Sequence, residues 1–136
     1  MIRDPHIRAW LDDFSACVRN RDLETGRTLF ARDVRSFGTV AEGVHGLDRL
    51  MDRQWRHVWF NTRDFRFLME TMEAHCSDDG TQVCVSGLWD SQGVTPEGGS
   101  FPRRGRCTIL LRREPTAPHG YHATHTHFSK TPEGSL

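Results

Sequence analysis

The chain has 136 residues, 36% of them hydrophobic, and its 18 basic and 18 acidic side chains cancel to a formal net charge of zero. That length suits one domain around one core, and the balanced charge argues against nucleic acid as a main partner, because binding phosphate takes a basic surplus. No apolar run approaches the ~20 residues of a membrane span and the N-terminal MIRDPHIRAW lacks the apolar stretch of a secretory signal, so no membrane partner and a cytoplasmic location are expected.

Asp4-Pro5 predicts the start of a first helix, with Asp4 as N-cap and Pro5 at the first helical position. Ile7, Trp10, Leu11, Phe14 and Val18 then recur at helical spacing and form an apolar stripe. Asn20-Arg21-Asp22 turns the chain into a shorter second helix, whose apolar contacts come from Leu23, Thr28, Leu29 and Phe30. Val34 to Thr39 reads as a short strand, followed by the loop Glu42-Gly43-Val44-His45-Gly46. A third helix is expected from about Leu47 to Trp59, with Leu47, Leu50, Met51, Trp55, Val58 and Trp59 on one face.

From Phe65 the period becomes two, and the alternation predicts one strand running to Cys76. Ser77-Asp78-Asp79-Gly80 is a hairpin turn, since Asp-Gly tolerates the positive φ that tight turns need. The return strand covers Val83 to Trp89, Gln92 to Ser100 is a Gly/Pro loop, and Phe101 to Arg113 is a long strand. Glu114 to Gly120 holds Pro115 and Pro118 and must turn, Tyr121 to Ser129 is the last strand, and residues 131–136 form a tail to a single domain over 1–130. Helices early and a strand meander late imply an α+β architecture, with helices covering one face of an antiparallel sheet. Cys17, Cys76, Cys84 and Cys107 lack paired spacing and read as packing residues.

This order, with these residues, resembles the nuclear transport factor 2-like superfamily, and within it the SnoaL-like group. SFGTVAEGVHGLDRL is similar to that group's strand, loop and third helix. GRCTILLRR followed by YHATHTHFS is similar to its closing strand pair, and the kinase II association domain ends with the same aromatic-to-HxHxS spacing. The resemblance implies a cone-shaped, curved antiparallel sheet wrapped on three N-terminal helices, a cystatin-like roll. It also implies a cavity between the concave sheet face and the helices, and a convex face that makes a homodimer. Relatives include ketosteroid isomerase, polyketide cyclases, limonene epoxide hydrolase, scytalone dehydratase, transport factors and oligomerisation domains, so the motifs specify fold better than function.

Candidate chemistry centres on the last strand. His125, His127 and Ser129 share one parity, Thr124, Thr126 and Phe128 the other, and His122 lies opposite to His125 and His127. Imidazoles titrate near neutral pH and can move protons. On the concave face they would sit in the cavity; on the convex face they would meet a partner or solvent. Arg106 shares a strand face with Thr108 and Leu110 and needs a counter-charge, either Glu70 or Asp90 or an anionic ligand. Phe37, Trp55, Trp59, Phe67 and Trp89 are core residues or walls of an apolar ligand cavity.

In ketosteroid isomerases the resemblance calls for an aspartate base on the first strand, where this chain reads Arg35-Ser36-Phe37-Gly38. Any base would then be a histidine. The expectation is a small hydrophobic or aromatic ligand, with His125 or His127 as acid or base, Arg106 holding an oxyanion, and Thr108 with the aromatic residues around the ligand. Isomerisation, dehydration or cyclisation would follow; the rival is a non-catalytic dimeric binding module. An HxH strand lacks an evident third metal ligand, and no phosphate loop or nucleophile elbow is present, so neither metal nor cofactor is expected.

Overall fold

The computed structural model describes residues 1–134. Helix α1 spans Pro5–Asn20, its N-cap carboxylate on Asp4 accepting from the His6 and Ile7 N–H groups. The predicted stripe is buried: Ile7, Trp10, Leu11, Phe14 and Val18 all face the core. Each large apolar side chain buried in this way contributes about 1.5–3 kcal/mol. Arg21 ends the helix in the left-handed region (φ 54°), and its N–H caps the carbonyls of Cys17 and Val18. Helix α2 is only Leu23–Thr28; Leu29 and Phe30 belong to the entry of strand β1, Phe30–Phe37, rather than to the helix. The two-residue strand β2, Val44–His45, pairs with β1.

The third helix is continuous but composite. It starts as α3, Leu47–Leu50, and widens to a π-turn over Met51–Trp55, where the Arg56 N–H reaches back five residues to the Met51 carbonyl. It returns to α-helix as α4, Arg56–Val58, and tightens to a 3-10 turn over Trp59–Asn61. Such π-turns often lie at functional sites. This one turns Gln54 and Trp55 inward, and both are buried.

The strand expected from Phe65 to Cys76 is interrupted. Strand β3 is Thr62–Phe67, a single 3-10 turn occupies Met69–Thr71, and β4 is Glu73–Cys76. The interruption seats the fully buried Met72 directly on Gly87, whose missing Cβ leaves that space open. Asp64 takes a left-handed φ of 57° at a break in the β3 register, which leaves Phe65 and Phe67 both facing the core.

Strands β5, Gln82–Val94, and β6, Ser100–Arg113, form a long antiparallel pair, and β7 is Tyr121–Lys130. The seven-stranded sheet has the order β2-β1-β7-β6-β5-β3, with β4 beside β5. It is antiparallel except at one seam, where β1 runs parallel to β7. The helices cover one face. The tail is held at its start by the Thr131 N–H, which donates to the Arg104 carbonyl at 2.9 Å. The last two residues of the expected tail, 135–136, lie outside the described residues. Among the described residues no helix is long and apolar enough to cross a membrane.

A bulge at Thr124 decides which way the last strand faces. Leu111 pairs with Ala123 and Leu110 with His125, so Thr124 is an extra residue in the β6–β7 ladder. Tyr121 and Ala123 point inward before it; Thr126 and Phe128 line the interior after it. His122 therefore shares the outer face with His125 and His127, contrary to simple parity.

Candidate functional site

Between α1, the composite helix and the concave face of the sheet lies a cavity of about 50 Å³. That is room for a few water molecules, about a third of the ~150 Å³ that admits a benzene ring. Its walls are aromatic. Trp55 and Trp59 stack with centroids 4.4 Å apart and planes 18° from parallel. Both pack over Gly26 of α2, where a Cβ would come within 2.8 Å of Trp59. Phe14, Phe65, Trp89 and Phe128 close the remaining walls.

Trp89 is fixed by its indole N–H, which donates to the Arg106 carbonyl at 2.9 Å, and by Gly105, which has no side chain to keep the ring away. Phe128 meets Phe14, Phe65 and Trp89 at centroid distances of 6.2, 6.3 and 6.3 Å. Burying this ring is what turns the Thr126–Phe128 parity inward, and it sends the alternate residues out.

Five polar side chains break the apolar lining: Thr39, Gln54, Thr62, Arg103 and Thr126. Thr126 shares a 2.7 Å hydroxyl–hydroxyl hydrogen bond with Ser36 of β1. The Arg103 guanidinium donates to the Thr39 hydroxyl and lies over the Trp89 ring, 5.6 Å from its centroid. Desolvation pulls the pKa of this guanidinium below the ordinary arginine value. Gln54 Oε1 is buried without a hydrogen-bond donor. Neither Arg103 nor Gln54 was among the residues expected from the sequence.

The expected site residues divide between the two faces of the sheet. Trp55, Trp59 and Trp89 line the cavity, and Phe67 is buried in the core beside Phe14 and Phe65 without reaching the cavity wall. His125, His127, Arg106, Phe37 and Thr108 all lie on the outer face, where the register sets His127 opposite Thr108 and beside Phe37. The imidazoles of His125 and His127 pack edge-on against the Phe37 ring at 5.3 and 5.4 Å, and His125 Nδ1 lies 2.7 Å from the Arg35 carbonyl oxygen.

Arg106 is exposed and donates to the Ser129 hydroxyl at 3.3 Å. The carboxylates expected to pair with it are engaged elsewhere or absent from its contacts, since Asp90 pairs with Arg66 and Arg104 at 3.3 and 3.6 Å. Cys17 and Cys107 carry thiols pushed up to about 12, chiefly by burial, and so are poor nucleophiles near neutral pH. Among the described residues, no three His, Cys, Asp or Glu side chains cluster as a metal site.

The cavity thus offers stacking surface, one desolvated cation and one unanswered amide. Its lining contains no carboxylate, imidazole or thiol among the described residues.

Comparison with known structures fits this architecture. A structure from Xanthomonas campestris described by the calcium/calmodulin dependent protein kinase II association domain superimposes with a TM-score of 0.80 at 14% identity, covering 98% of this chain and 91% of that one. A nuclear transport factor 2-like superfamily protein from Salmonella enterica serovar Typhimurium also gives 0.80, at 13% identity and 96% and 92% coverage. A ketosteroid isomerase-like protein from Erwinia carotovora atroseptica gives 0.76, at 17% identity and 93% and 95% coverage. No curated protein matches the sequence. These likenesses concern the fold alone. The family model for the SnoaL-like domain matches residues 7–133, and the chain belongs to that family, within the nuclear transport factor 2-like fold.

Proposed function

We propose that this chain is a small-molecule-binding domain that takes a small hydrophobic or aromatic ligand at the cavity between the composite helix and the sheet. The observation that carries the reading is the cavity itself: an aromatic-walled space bounded by the Trp55–Trp59 stack and Trp89, with a few polar groups at its edge. This is the usual composition of a small-molecule site. Relatives of this fold include proteins described as ketosteroid isomerase-like and as a dehydratase, but the histidines suited to such chemistry here stand on the outer face, so binding without acid–base catalysis is the better-supported reading.

The experiment is intrinsic tryptophan fluorescence with a panel of one-ring and fused-ring compounds, alongside thermal shift. Compounds that fit should change the emission of the cavity tryptophans and raise the melting temperature by mass action. Gly26→Leu, which pushes a side chain under the Trp55–Trp59 stack, should abolish binding in a folded protein. If one-ring compounds leave both emission and melting temperature unchanged, the reading fails.

A second reading concerns the outer face. Phe37, flanked by two imidazoles, and the exposed Leu88 on β5 are apolar side chains on this sheet face. We propose that two copies of the chain meet there. Sedimentation equilibrium should report a dimer, and Leu88→Arg with Phe37→Glu should yield a monomer; a monomeric parent chain would refute the contact.

A further inference from the structure

The cavity is narrower than any ring it would take. At about 50 Å³ it has room for a few waters, so a ring enters only when a wall moves. Its lining side chains are buried except for Thr39, Val58, Arg103 and Phe128, which are half-buried. These four mark the side on which the chamber approaches solvent. Across that side the loop of residues 38–43 meets β6 through a hydrogen bond, the Arg103 guanidinium donating to the Thr39 hydroxyl.

The two sides of this contact are not equally held. Arg103 stands in the β5–β6 ladder opposite Ser91, whose hydroxyl also donates to the Arg103 carbonyl at 2.9 Å. The loop leaves β1 after Phe37 and re-enters the sheet at Val44. Within it the Gly38 N–H donates to the Ala41 carbonyl at 3.4 Å, a bond that closes the loop on itself and does not tie it to β6. Ala41 packs on the core, while Val40 is 61% exposed. Gly38 and Gly43 bound the segment, and small residues are common at hinges. When the contact breaks, the loop is the side that moves.

Two opposed effects act on the closed position. The Arg103–Thr39 bond favours it, because a hydrogen bond from a charged donor is among the stronger ones. Gln54 disfavours it. That residue is 7% exposed, and its Oε1 is buried with no donor. Gly38 lies directly against it, since the Gln54 amide fills the position that a Cβ on residue 38 would take. Lifting Gly38 gives water a way to the amide and ends the cost of an unmade hydrogen bond. The π-turn that carries Gln54 inward therefore also sets it under the loop.

We propose that the loop of residues 38–43 is a gate over the cavity, latched by Arg103 and Thr39 and biased toward opening by the unpartnered Gln54 oxygen. Closed, it leaves the small aromatic-walled chamber. Open, it withdraws Thr39 from the wall and widens the mouth beside Trp89 and Phe128. The gate rests on the ligand-binding reading above for what passes through it; its test uses no ligand, so each can fail without the other.

The test is thiol trapping on the full chain. Thr62→Cys places a thiol in the cavity wall, at a position 3% exposed, where iodoacetamide reaches it only through an opening. Peptide mapping follows the rates, with Cys17 and Cys107, buried outside the cavity lining, as reporters of wider unfolding. In this background Thr39→Val, which removes the acceptor, should speed labelling of the introduced thiol by about threefold or more, within what loss of a charged hydrogen bond allows. Gln54→Met, which removes the unpartnered oxygen and keeps an unbranched side chain, should slow it by a similar factor. Cys17 and Cys107 should keep their rates in both. Should Thr62→Cys fail to fold, Val18→Cys on α1 is the second trap in the same wall.

Unchanged labelling of the introduced thiol in Thr39→Val would overturn the latch and the proposal with it. Labelling of Cys17 and Cys107 sped up by the same factor would overturn it as well, because the variant would then be loosening the whole fold. Faster labelling in Gln54→Met would overturn the bias assigned to the amide. Labelling as expected, with no compound bound in the fluorescence panel, would keep the gate and remove the ligand-binding reading.

Discussion

Ser36 on β1 and Thr126 on β7 join their hydroxyls at 2.7 Å across the parallel seam of the sheet, and both residues are buried. Each hydroxyl is the other's partner in a place water does not reach. Removing one strands the other, so Thr126→Val or Ser36→Ala alone should destabilise the fold by about 1–3 kcal/mol. Removing both should cost less than the sum, because no orphan is left. Urea unfolding of the two single variants and the double variant measures the coupling; strict additivity would mean the pair acts as two independent packing groups.

Gly26 is a packing glycine rather than a turn glycine. A methyl group there would press within 2.8 Å of Trp59 and 3.4 Å of Trp55. Alanine gains about 1 kcal/mol of helix propensity over glycine, but α2 is one short helix against a rigid, buried stack. Crowding of this kind costs about 1–3 kcal/mol. Gly26→Ala should therefore come out destabilising by about 1 kcal/mol and shift the tryptophan emission, which chemical denaturation followed by fluorescence reads directly. A stabilised variant would mean that the stack can slide.

The Asp79 carboxylate accepts from the Thr81 hydroxyl, the Thr81 N–H and the Ser77 hydroxyl at 2.7, 3.0 and 2.8 Å. Led by the Thr81 side chain, these bonds hold its pKa down to about 2. The unfolded value is near ~3.9. The folded pKa is the lower one, so the ionised carboxylate favours the folded hairpin at pH values above ~4. That contribution declines as the pH falls from about 4 through 2. Carboxyl chemical shifts followed by NMR should place the midpoint near 2, and a midpoint near 4 would mean the turn does not hold its three donors in solution.

Cysteine reactivity should separate sharply by position. Cys107 and Cys17 are buried, with thiols pushed up to about 12; Asp13 and Asp22 add to the effect at Cys17. At pH 8 such thiols are ionised at roughly one part in ten thousand. Cys76 is exposed at the end of β4. Iodoacetamide on the native protein, with peptide mapping, should label Cys76 first and leave Cys17 and Cys107 until denaturant is added. Early labelling at Cys107 would indicate local opening of the β5–β6 pair.

Local patterns carry much of this fold openly. The stripe of α1 and the Asp4 cap are legible because helix periodicity and capping are short-range properties. The break after Phe67 is not: Leu68 to Met72 keeps an alternating look, and only the vacancy over Gly87, on a different strand, explains why Met72 folds down. Arg106 stands out in the sequence through its place in a recurring motif, yet Arg103 faces the cavity. The signal is present in Gly105, which shares parity with Arg103 and lies under Trp89. Gln54 is readable too, as a polar residue on the apolar face between Met51 and Trp55, but its unpartnered amide oxygen follows from burial that spacing does not report.

The bulge at Thr124 divides the last strand into two reading frames. Residues up to Ala123 follow one in-and-out phase, and residues from His125 follow the other. Any comparison of this strand with a relative that lacks the extra residue must slip by one position there, or it will assign every side chain beyond it to the opposite side of the sheet. For this chain the correct phase decides whether the closing histidines belong to the interior cavity or to the surface behind it, so the position of one threonine governs how the HxHxS motif is to be interpreted.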